Sequence, residues 1–454
     1  MDWNEMSRKD KVKAVLGGLL ALAVIAIMCI PAPKLAKMPE RETVYFWHQW
    51  TGDYAKQAEM ICDYFNAYQD KYEVVPLSLP SSANQKLLMS VAGGNPPDIM
   101  VQWEAVIPQW ADSGLLTPME EVMSKEDKEF FEKNAFPITN KIARYKGELY
   151  AIPTSMGLLG IFYHPEILEA NGYKPGEVPQ TLEELTELSK KLAVMDKNHN
   201  IKTMGFLPGE MPSFLAAWGN GLWDYKTGRL TLNTEGNVKA FEYLVNLREY
   251  YGGFDKVAKF EAGLENAGGN GVLMPFFARK ILFLHTGAWH IALINQQMKK
   301  YAKDYKTMPT PAPVGGHKYY SWLGNCFLVI PKGANNPKGA YEFIKYWSGI
   351  TDPDEGAKVM QLGGWLPSFR AVRDSKIYQQ WLDENPTQRA FVDMMESDNI
   401  IYYPPVPYQL YIFDRLNYYY DKCIRGRMKP REALQKLEED VQEEIERRKK
   451  FKLD

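Results

Sequence analysis

The sequence predicts an α/β fold, because short apolar runs alternate with segments whose apolar residues recur at helical spacing. Glycine-containing turns separate several of these segments, as at residues 93–97. The order of the first five elements, β-α-β-α-β, predicts a lobe with a largely parallel sheet. These elements are predicted at residues 44–47, 54–68, 72–77, 84–92 and 98–101.

A second series of elements begins near residue 151. Residues 159–163 are strand-like, and Thr181 opens a helix with Glu184 three positions later. That spacing is typical of a capping box at a helix N-terminus. A chain of 454 residues is long enough for two or three domains, each with its own core.

Two helices are predicted nearer the C-terminus. Asn336 and Pro337 are typical of the N-cap and first helical positions, and an apolar stripe follows at positions 340, 343, 344 and 347. The last helix starts at Pro430 and places positions 434, 437, 441 and 445 inward. Its other face is charged and is expected to be solvated.

The composition is that of an ordinary globular protein. Hydrophobic residues make up 45% of the 454 residues and charged residues 24%, which argues against disorder. The 54 basic and 56 acidic residues give a net charge of -2. Because there is no basic surplus, nucleic acid is not an expected partner.

The cysteines predict neither a metal site nor a disulfide framework. They stand at positions 29, 62, 326 and 423, and no pair has C-x-x-C spacing. Buried thiols are the expected outcome for the three in the body of the protein, with one disulfide as the alternative. We expect no metal and no cofactor.

The N-terminus, residues 1–42, predicts export. Residues 14–30 carry no charge, and four basic side chains precede them between Arg8 and Lys13. The run is at the short end of a bilayer span and slightly longer than a usual signal-peptide core. We found no convincing processing site, so an uncleaved membrane anchor is expected and a cleaved signal is the alternative. Either way the body of the protein is periplasmic or on the cell surface.

Six short motifs, in this order, resemble the bacterial family 1 extracellular solute-binding proteins. The resemblance extends from about residue 43 to residue 440, and this family includes maltose-binding and glycerol-phosphate-binding receptors. The motifs are FWHQWTG at 46–52, GGNPPDI at 93–99, LYAIP at 149–153, TGAW at 286–289, VIPKG at 329–333 and GGWLP at 363–367.

The resemblance implies a two-lobed periplasmic-binding-protein fold of type II, with a hinge and a ligand cleft between the lobes. One lobe would comprise residues 43–152 and 323–365, and the other residues 153–322 and 366–454. It also implies the receptor of an ABC importer, which binds a small-molecule carbohydrate or polyol, delivers it to ABC permease subunits and catalyses nothing. We expect the exported part to be monomeric.

The ligand-binding residues are predicted from chemistry and position. Aromatic rings cover the apolar faces of a sugar, fixed polar groups satisfy its hydroxyls, and α/β sheets place ligands at the C-terminal ends of their strands. The candidates are Trp47, His48, Trp50, Asp53, Asp98, Gln102, Trp103, Trp218, Trp289, Trp322, Asn325, Trp365 and Arg370.

Each candidate also has a structural interpretation. Any of the tryptophans can belong to the core or to the packing between lobes, Asp98 can cap a turn, and Arg370 can form an ion pair between lobes. The nature of the ligand also stays open, since saccharides of several lengths and glycerol phosphates suit an aromatic cleft.

Two alternative functions remain at this stage. His285 and His290 lack the H-E-x-x-H frame, and there is no Walker A loop, G-x-S-x-G motif or dinucleotide fingerprint. An exported hydrolase or lyase stays possible in principle because a pair of catalytic carboxylates meets only in the fold. A membrane-tethered domain that senses solute without transport is the other alternative.

Overall fold

The computed structural model describes residues 41–80, 83–103, 106–219, 221–265 and 271–451. The predicted anchor or signal at residues 14–30, with nearly all of the 1–42 segment, lies outside these ranges. Within them, no helix combines the length and the apolar character that a membrane span requires.

The first sheet has five strands in the order β2-β1-β3-β15-β6. β1 runs parallel to both β2 and β3, as the β-α-β-α-β pattern predicts, whereas β15 returns antiparallel between β3 and β6. In the sequence β15 follows all five strands of the second sheet, so the chain returns to the first sheet after forming the second. The strands are β1 (Glu42–His48), β2 (Tyr72–Ser78), β3 (Ile99–Trp103), β6 (Ala151–Pro153) and β15 (Cys326–Val329).

The second sheet also has five strands, in the order β13-β7-β12-β9-β8. β12 is parallel to β9 but antiparallel to β7, and both edge strands are antiparallel to their neighbours, so this sheet is mixed. The predicted strand at residues 159–163 is β7, which lies between β13 and β12. The strands are β7 (Leu159–Tyr163), β8 (Val194–Met195), β9 (Ile201–Phe206), β12 (Ile281–Gly287) and β13 (Lys306–Met308).

Three two-stranded pairings complete the strands. β14 pairs with β16 in parallel, and the other two pairs are antiparallel ribbons. They are β4 (Arg144–Tyr145), β5 (Glu148–Leu149), β10 (Trp223–Asp224), β11 (Arg229–Leu230), β14 (Ser321–Trp322) and β16 (Ile400–Ile401).

Helices cover the faces of the two sheets and form most of the C-terminal part of the chain. Short 3₁₀ turns occur at Met119–Glu121, Lys299–Tyr301 and Pro386–Gln388. The α-helices are α1 (Gly52–Tyr68), α2 (Ala83–Ala92), α3 (Ile107–Asp112), α4 (Lys125–Asn134), α5 (Pro137–Ile142), α6 (Pro165–Glu169), α7 (Leu182–Leu192), α8 (Met211–Leu215), α9 (Glu235–Tyr250), α10 (Gly253–Glu265), α11 (Leu273–Phe277), α12 (Trp289–Gln297), α13 (Pro337–Ser348), α14 (Pro353–Gly363), α15 (Arg370–Arg373), α16 (Lys376–Glu384), α17 (Arg389–Val392), α18 (Gln409–Ile424) and α19 (Pro430–Phe451).

Both predicted helix caps form, but in the predicted capping box the second hydrogen bond has a different donor. The Thr181 hydroxyl accepts a hydrogen bond from the backbone N–H of Glu184 at 3.1 Å. The Glu184 carboxylate, however, accepts from Gln180 rather than from the cap residue itself. Asn336 caps α13 through a hydrogen bond from the backbone N–H of Gly339. Substituting such a cap by alanine typically costs about 1 kcal/mol.

Two clusters of buried side chains form the interior. The first core lies around the first sheet and includes Phe46 and Trp347; the second core is larger and lies mainly around the second sheet. The predicted stripe of α13 faces the first core, and in α19 the predicted positions 434, 437 and 441 are buried. Cys62, Cys326 and Cys423 are buried, and no disulfide joins cysteines of the described residues.

Backbone hydrogen bonds tie together the segments that run between the two sheets. The N–H of Thr154 donates to the carbonyl of Cys326 at 2.9 Å, and the N–H of Gly324 donates to the carbonyl of Gly157 at 2.9 Å. The N–H of Met156 donates to the carbonyl of Leu366 at 2.8 Å. These hydrogen bonds join three connecting segments that are far apart in sequence. A hinge between the lobes is expected in such connecting segments.

Candidate functional site

A cavity of about 560 Å³ lies where the ends of the two sheets meet. Residues 49–51 follow β1, Trp103 ends β3, residues 154–157 follow β6, and Trp289 follows β12. The segments that connect the two sheets also line this cavity. This is the crevice at the ends of the strands that α/β folds commonly use for ligands.

Aromatic side chains make up much of the cavity wall. They come from both sheets and from the connecting segments, so rings face the cavity from several directions. Flat aromatic surfaces with few charges suit the C–H faces of a sugar. The aromatic lining residues are Trp50, Tyr54, Trp103, Trp289, Trp322, Trp365 and Tyr403.

Trp289 lies on a platform of glycines. The six-membered ring of its indole is so close to Gly287 that an added Cβ there would approach it to 2.1 Å. An added Cβ on Gly157 or Gly324 would lie 3.3 or 3.7 Å from the same ring. Glycine is needed at position 287 because any larger residue would displace the indole from its place against the backbone. The half-buried ring is therefore fixed while it lines the cavity.

Trp50 and Trp365 lie on the first-sheet side of the cavity. The ring centroid of each is 5.9 Å from that of the buried Trp347, with interplanar angles of 22° and 10°. Both cavity indoles are therefore held by stacking on one core residue.

Trp322 and Trp103 have different surroundings. Trp322 stacks on Tyr402 at 5.5 Å and meets Tyr403 edge-on at 4.0 Å, which fixes it in the wall. Trp103 is 49% exposed, although it is a large aromatic residue at the end of a central strand. An exposed indole at the mouth of a cavity is a typical ligand contact.

Uncharged polar groups are set among the rings. The side-chain nitrogen of Gln49 is buried without a hydrogen-bond partner among the described residues. Asn325 joins two connecting segments, since its side-chain nitrogen donates to the carbonyl of Ser155 and its oxygen accepts from the N–H of Cys326. The N-termini of α1 and α12 also open at the cavity and offer backbone donors.

Glu210 is the one ionisable acid among the described lining residues, and no lysine, arginine or histidine accompanies it. It follows β9 and precedes α8. Partial loss of hydration raises the pKa of its carboxyl above the usual value. The described wall is therefore aromatic and polar, with at most one negative charge.

Three of the predicted aromatic site residues lie outside the cavity wall. Trp47 belongs to β1 and packs, half-buried, against the second core. His48 ends the same strand at 1% exposure, with its ring 5.7 Å from that of Trp50. Trp218 packs against Tyr243 at 5.8 Å.

The predicted polar residues Asp53, Asp98, Gln102 and Arg370 are also not among the residues that line the cavity. Asp53 stands in the first turn of α1, where hydrogen bonds from Gln297 and Lys56 lower the pKa of its carboxyl. The buried Asp98 accepts the backbone N–H groups of Tyr45 and Asn336 at 2.9 and 2.6 Å.

Gln102 and Arg370 are likewise engaged with protein groups. Gln102 donates to the side chain of Asn84 and accepts the N–H of Trp103. Arg370 pairs with Glu396 at 2.7 Å, donates to the carbonyl of Ala135, and lies over the ring of Phe136. This ion pair holds the pKa of the Glu396 carboxyl below its usual value.

Sequence reasoning missed much of the polar and aliphatic wall. Glu210 lies in the short loop between β9 and α8, so the rule that selected residues after strands, Trp103 among them, could have selected it. Residues 154–157 directly follow the LYAIP motif, at the end of β6. The missed lining residues are Gln49, Thr51, Tyr54, Thr154, Ser155, Met156, Gly157, Leu159, Glu210, Ala288, Gly324, Cys326, Leu366 and Tyr403.

The fold is that of the two-lobed sugar-binding proteins of type II. The mannotriose-bound protein CpMnBP1 superposes with a TM-score of 0.72 at 22% identity, covering 87% of this chain and 99% of that one. The sugar-binding protein MalE from Xanthomonas citri gives a TM-score of 0.72 at 21% identity, covering 91% and 100%. These likenesses establish the architecture.

The chain belongs to the family of bacterial extracellular solute-binding proteins, whose model matches residues 60–386. It is 23% identical over 392 residues to the sn-glycerol-3-phosphate-binding periplasmic protein UgpB of Shigella flexneri, covering 81% of this chain and 82% of that protein. UgpB of Yersinia pestis is 24% identical over 389 residues, covering 80% and 81%. The protein is therefore an extracytoplasmic solute-binding protein, as its motifs predicted.

Proposed function

We propose that this protein is the receptor of an ABC importer and that it binds an uncharged saccharide in the tryptophan-lined cavity. The observation that carries the proposal is the wall itself: five tryptophans line it, and the described lining residues include no basic side chain. Rings cover the sugar faces, while Gln49, Glu210 and the two helix N-termini meet the hydroxyls.

The same wall disfavours a phosphate ester, although the UgpB relatives are named for one. Phosphate is usually held by arginine or lysine, often in a bidentate contact. A helix N-terminus alone can receive an anion, but here the Glu210 carboxylate would repel it. We therefore infer a neutral ligand, such as the mannotriose found in CpMnBP1.

The proposal also assigns no catalysis to the site. Glycoside hydrolysis usually requires two carboxyl groups on opposite sides of the scissile bond. Among the described lining residues Glu210 is a single carboxyl group. This supports a protein that holds its ligand and passes it to permease subunits.

Our proposed division of the lobes follows the packing. Residues 43–152 and residues 323 to about 384 form the first lobe, and residues 153–322 with the later C-terminal helices form the second. Phe369, Val372 and Tyr378 pack in the first core, so we move the last boundary from 366 to beyond residue 382. Each lobe then retains its own core, which a hinge motion requires.

We further propose that residues 14–30 tether the receptor to the membrane and that the exported part is monomeric. The tether is supported by the uncharged run and the basic residues ahead of it. Such a tether would keep the receptor close to its permease.

A thermal-unfolding panel tests the ligand class. We expect mannotriose or maltotriose, at about a hundredfold excess over Kd, to stabilise the purified full chain by about 2.7 kcal/mol. At the same concentration sn-glycerol 3-phosphate should leave the unfolding midpoint unchanged. Stabilisation by glycerol 3-phosphate without stabilisation by any neutral saccharide would contradict the proposed ligand class.

A further inference from the structure

One buried residue touches three separate parts of the cavity wall. Trp347 lies in α13 and has no exposed surface. Its indole stacks on Trp50, which follows β1, and on Trp365, which follows α14. Its ring N–H donates to the backbone carbonyl of Thr154, at 3.1 Å, in the segment after β6.

The three contacts are of two kinds, stacking and hydrogen bonding, so together they fix position and orientation. The two stacking contacts set the planes of Trp50 and Trp365, and offset stacking of indoles is favourable beyond the area it buries. The hydrogen bond fixes the rotation of Trp347 about its side-chain bonds. It also ties the indole to Thr154, whose hydroxyl donates to the carbonyl of Cys326 at 3.0 Å. Trp347 thus contacts both cavity indoles and is linked through Thr154 to the hydrogen bonds that join the connecting segments.

The surroundings hold Trp347 in place. Phe46 and Phe343 contact its ring edge-on, with centroids 6.1 and 5.8 Å away. Gly363 lies under Trp365 so closely that an added Cβ would approach the ring to 2.1 Å. Trp365 is therefore held between the Gly363 backbone and the Trp347 ring.

We propose that Trp347 is a positioning residue for ligand binding: it sets the geometry of the Trp50 and Trp365 platform without touching the ligand. This inference rests on the proposed binding of a neutral saccharide in the cavity. A platform held by stacking on the core is preorganised, so a sugar pays no cost to order it on binding.

The test compares variants of Trp347 with matched variants of Trp110 in the full chain. Trp110 is also buried in the interior but does not line the cavity, so Trp110→Leu and Trp110→Phe reproduce the loss of packing alone. Calorimetric titration with mannotriose measures affinity, denaturant unfolding measures stability, and circular dichroism of the ligand-free protein measures coupling between the stacked indoles.

We expect Trp347→Leu to weaken mannotriose binding about tenfold or more, as a loosened aromatic platform should, and to diminish the circular-dichroism band of coupled indoles. The two Trp110 variants should lose stability yet keep affinity within about twofold and retain the band. Trp347→Phe keeps a ring but removes the N–H donor, and should lose part of the affinity and part of the band.

The proposal is overturned if folded Trp347→Leu binds mannotriose as the unaltered chain does, or if the Trp110 variants lose equal affinity. If Trp347→Leu does not fold, Trp347→Phe decides: an unaltered affinity and an unaltered band would overturn the proposal. If the unaltered chain binds no saccharide, the proposed function fails by itself. A crystal structure of ligand-free Trp347→Phe then decides whether Trp347 orders the two indoles, because unaltered orientations of Trp50 and Trp365 would overturn the proposal.

Discussion

Replacing Trp289 by alanine should weaken saccharide binding by about 5- to 150-fold, because a buried aromatic contact of this kind contributes about 1–3 kcal/mol. The indole lines the cavity and rests on Gly157, Gly287 and Gly324. That support holds the ring in place before ligand arrives, so its loss should appear in affinity. Calorimetric titration with mannotriose measures the change.

The competing role for Trp289 is packing, since it also contacts the second core. A residue needed for packing would cost about 3–5 kcal/mol of unfolding free energy when truncated to alanine. Trp110→Ala is the matched control and should show that loss with normal binding. If Trp289→Ala loses stability to the same extent while the folded fraction binds normally, Trp289 has a structural role and not a binding role.

Acid should destabilise the protein in the window from about pH 6.5 to pH 4, because burial lowers the pKa of several histidines. His48 and His285 show the effect in the two sheets, and the pKa values of His164 and His290 are lowered in the same direction. Burial lowers the pKa of His48, in the first sheet, from 6.5 to about 4, and that of His285, in the second sheet, from 6.5 to about 3. Both nitrogens of His285 and the Nδ1 of His48 are buried without a partner among the described residues. The folded protein therefore disfavours the charged form of both rings.

The sign follows from proton linkage. Above pH 6.5 both states hold these rings neutral and the histidines change nothing. Below it, the unfolded chain takes up protons that the folded protein does not, so the free energy of unfolding falls as the pH falls. At pH 4.5 the loss should be about 2–3 kcal/mol for each of His48 and His285.

Denaturant unfolding at pH 7 and pH 4.5 measures this loss. His285→Leu should remove about 2–3 kcal/mol of the difference between the two pH values, because it removes one of the buried rings that resist protonation. The exposed His199 provides the control, and His199→Gln should leave the difference unaltered. An equal acid effect in His285→Leu and the unaltered chain would show that other groups are responsible.

Much of the fold was predictable because local patterns are strong where each element buries one face. The first five elements, β7 and the helix beginning at Pro337 follow from apolar periodicity and caps. The antiparallel β15 and the mixed second sheet were not predictable, since pairing between residues more than a hundred positions apart leaves no local signal. The two-lobed plan came from the motifs and not from periodicity.

The site was predictable in its tryptophans and less so in its polar groups. Trp47 and Trp50 look equivalent in sequence, but the strand continues to residue 48, so Trp47 is placed on a strand face and Trp50 beyond its end. The roles of Asp98 and Arg370 depend on Asn336 and Glu396, partners that are distant in sequence or unmarked by any motif. Glu210 was missed because a single carboxylate after a strand carries no chemical signature.

Small-angle X-ray scattering with and without mannotriose tests most directly whether the cleft between the lobes captures a saccharide. A ligand shifts the equilibrium between the open and closed forms of a hinged protein only to the extent that it binds the closed form more tightly. We expect saturating mannotriose to reduce the radius of gyration of the full chain, and Trp289→Ala to require more ligand for the same change. An unchanged radius of gyration at a concentration that calorimetry shows to be saturating would contradict capture by hinge closure.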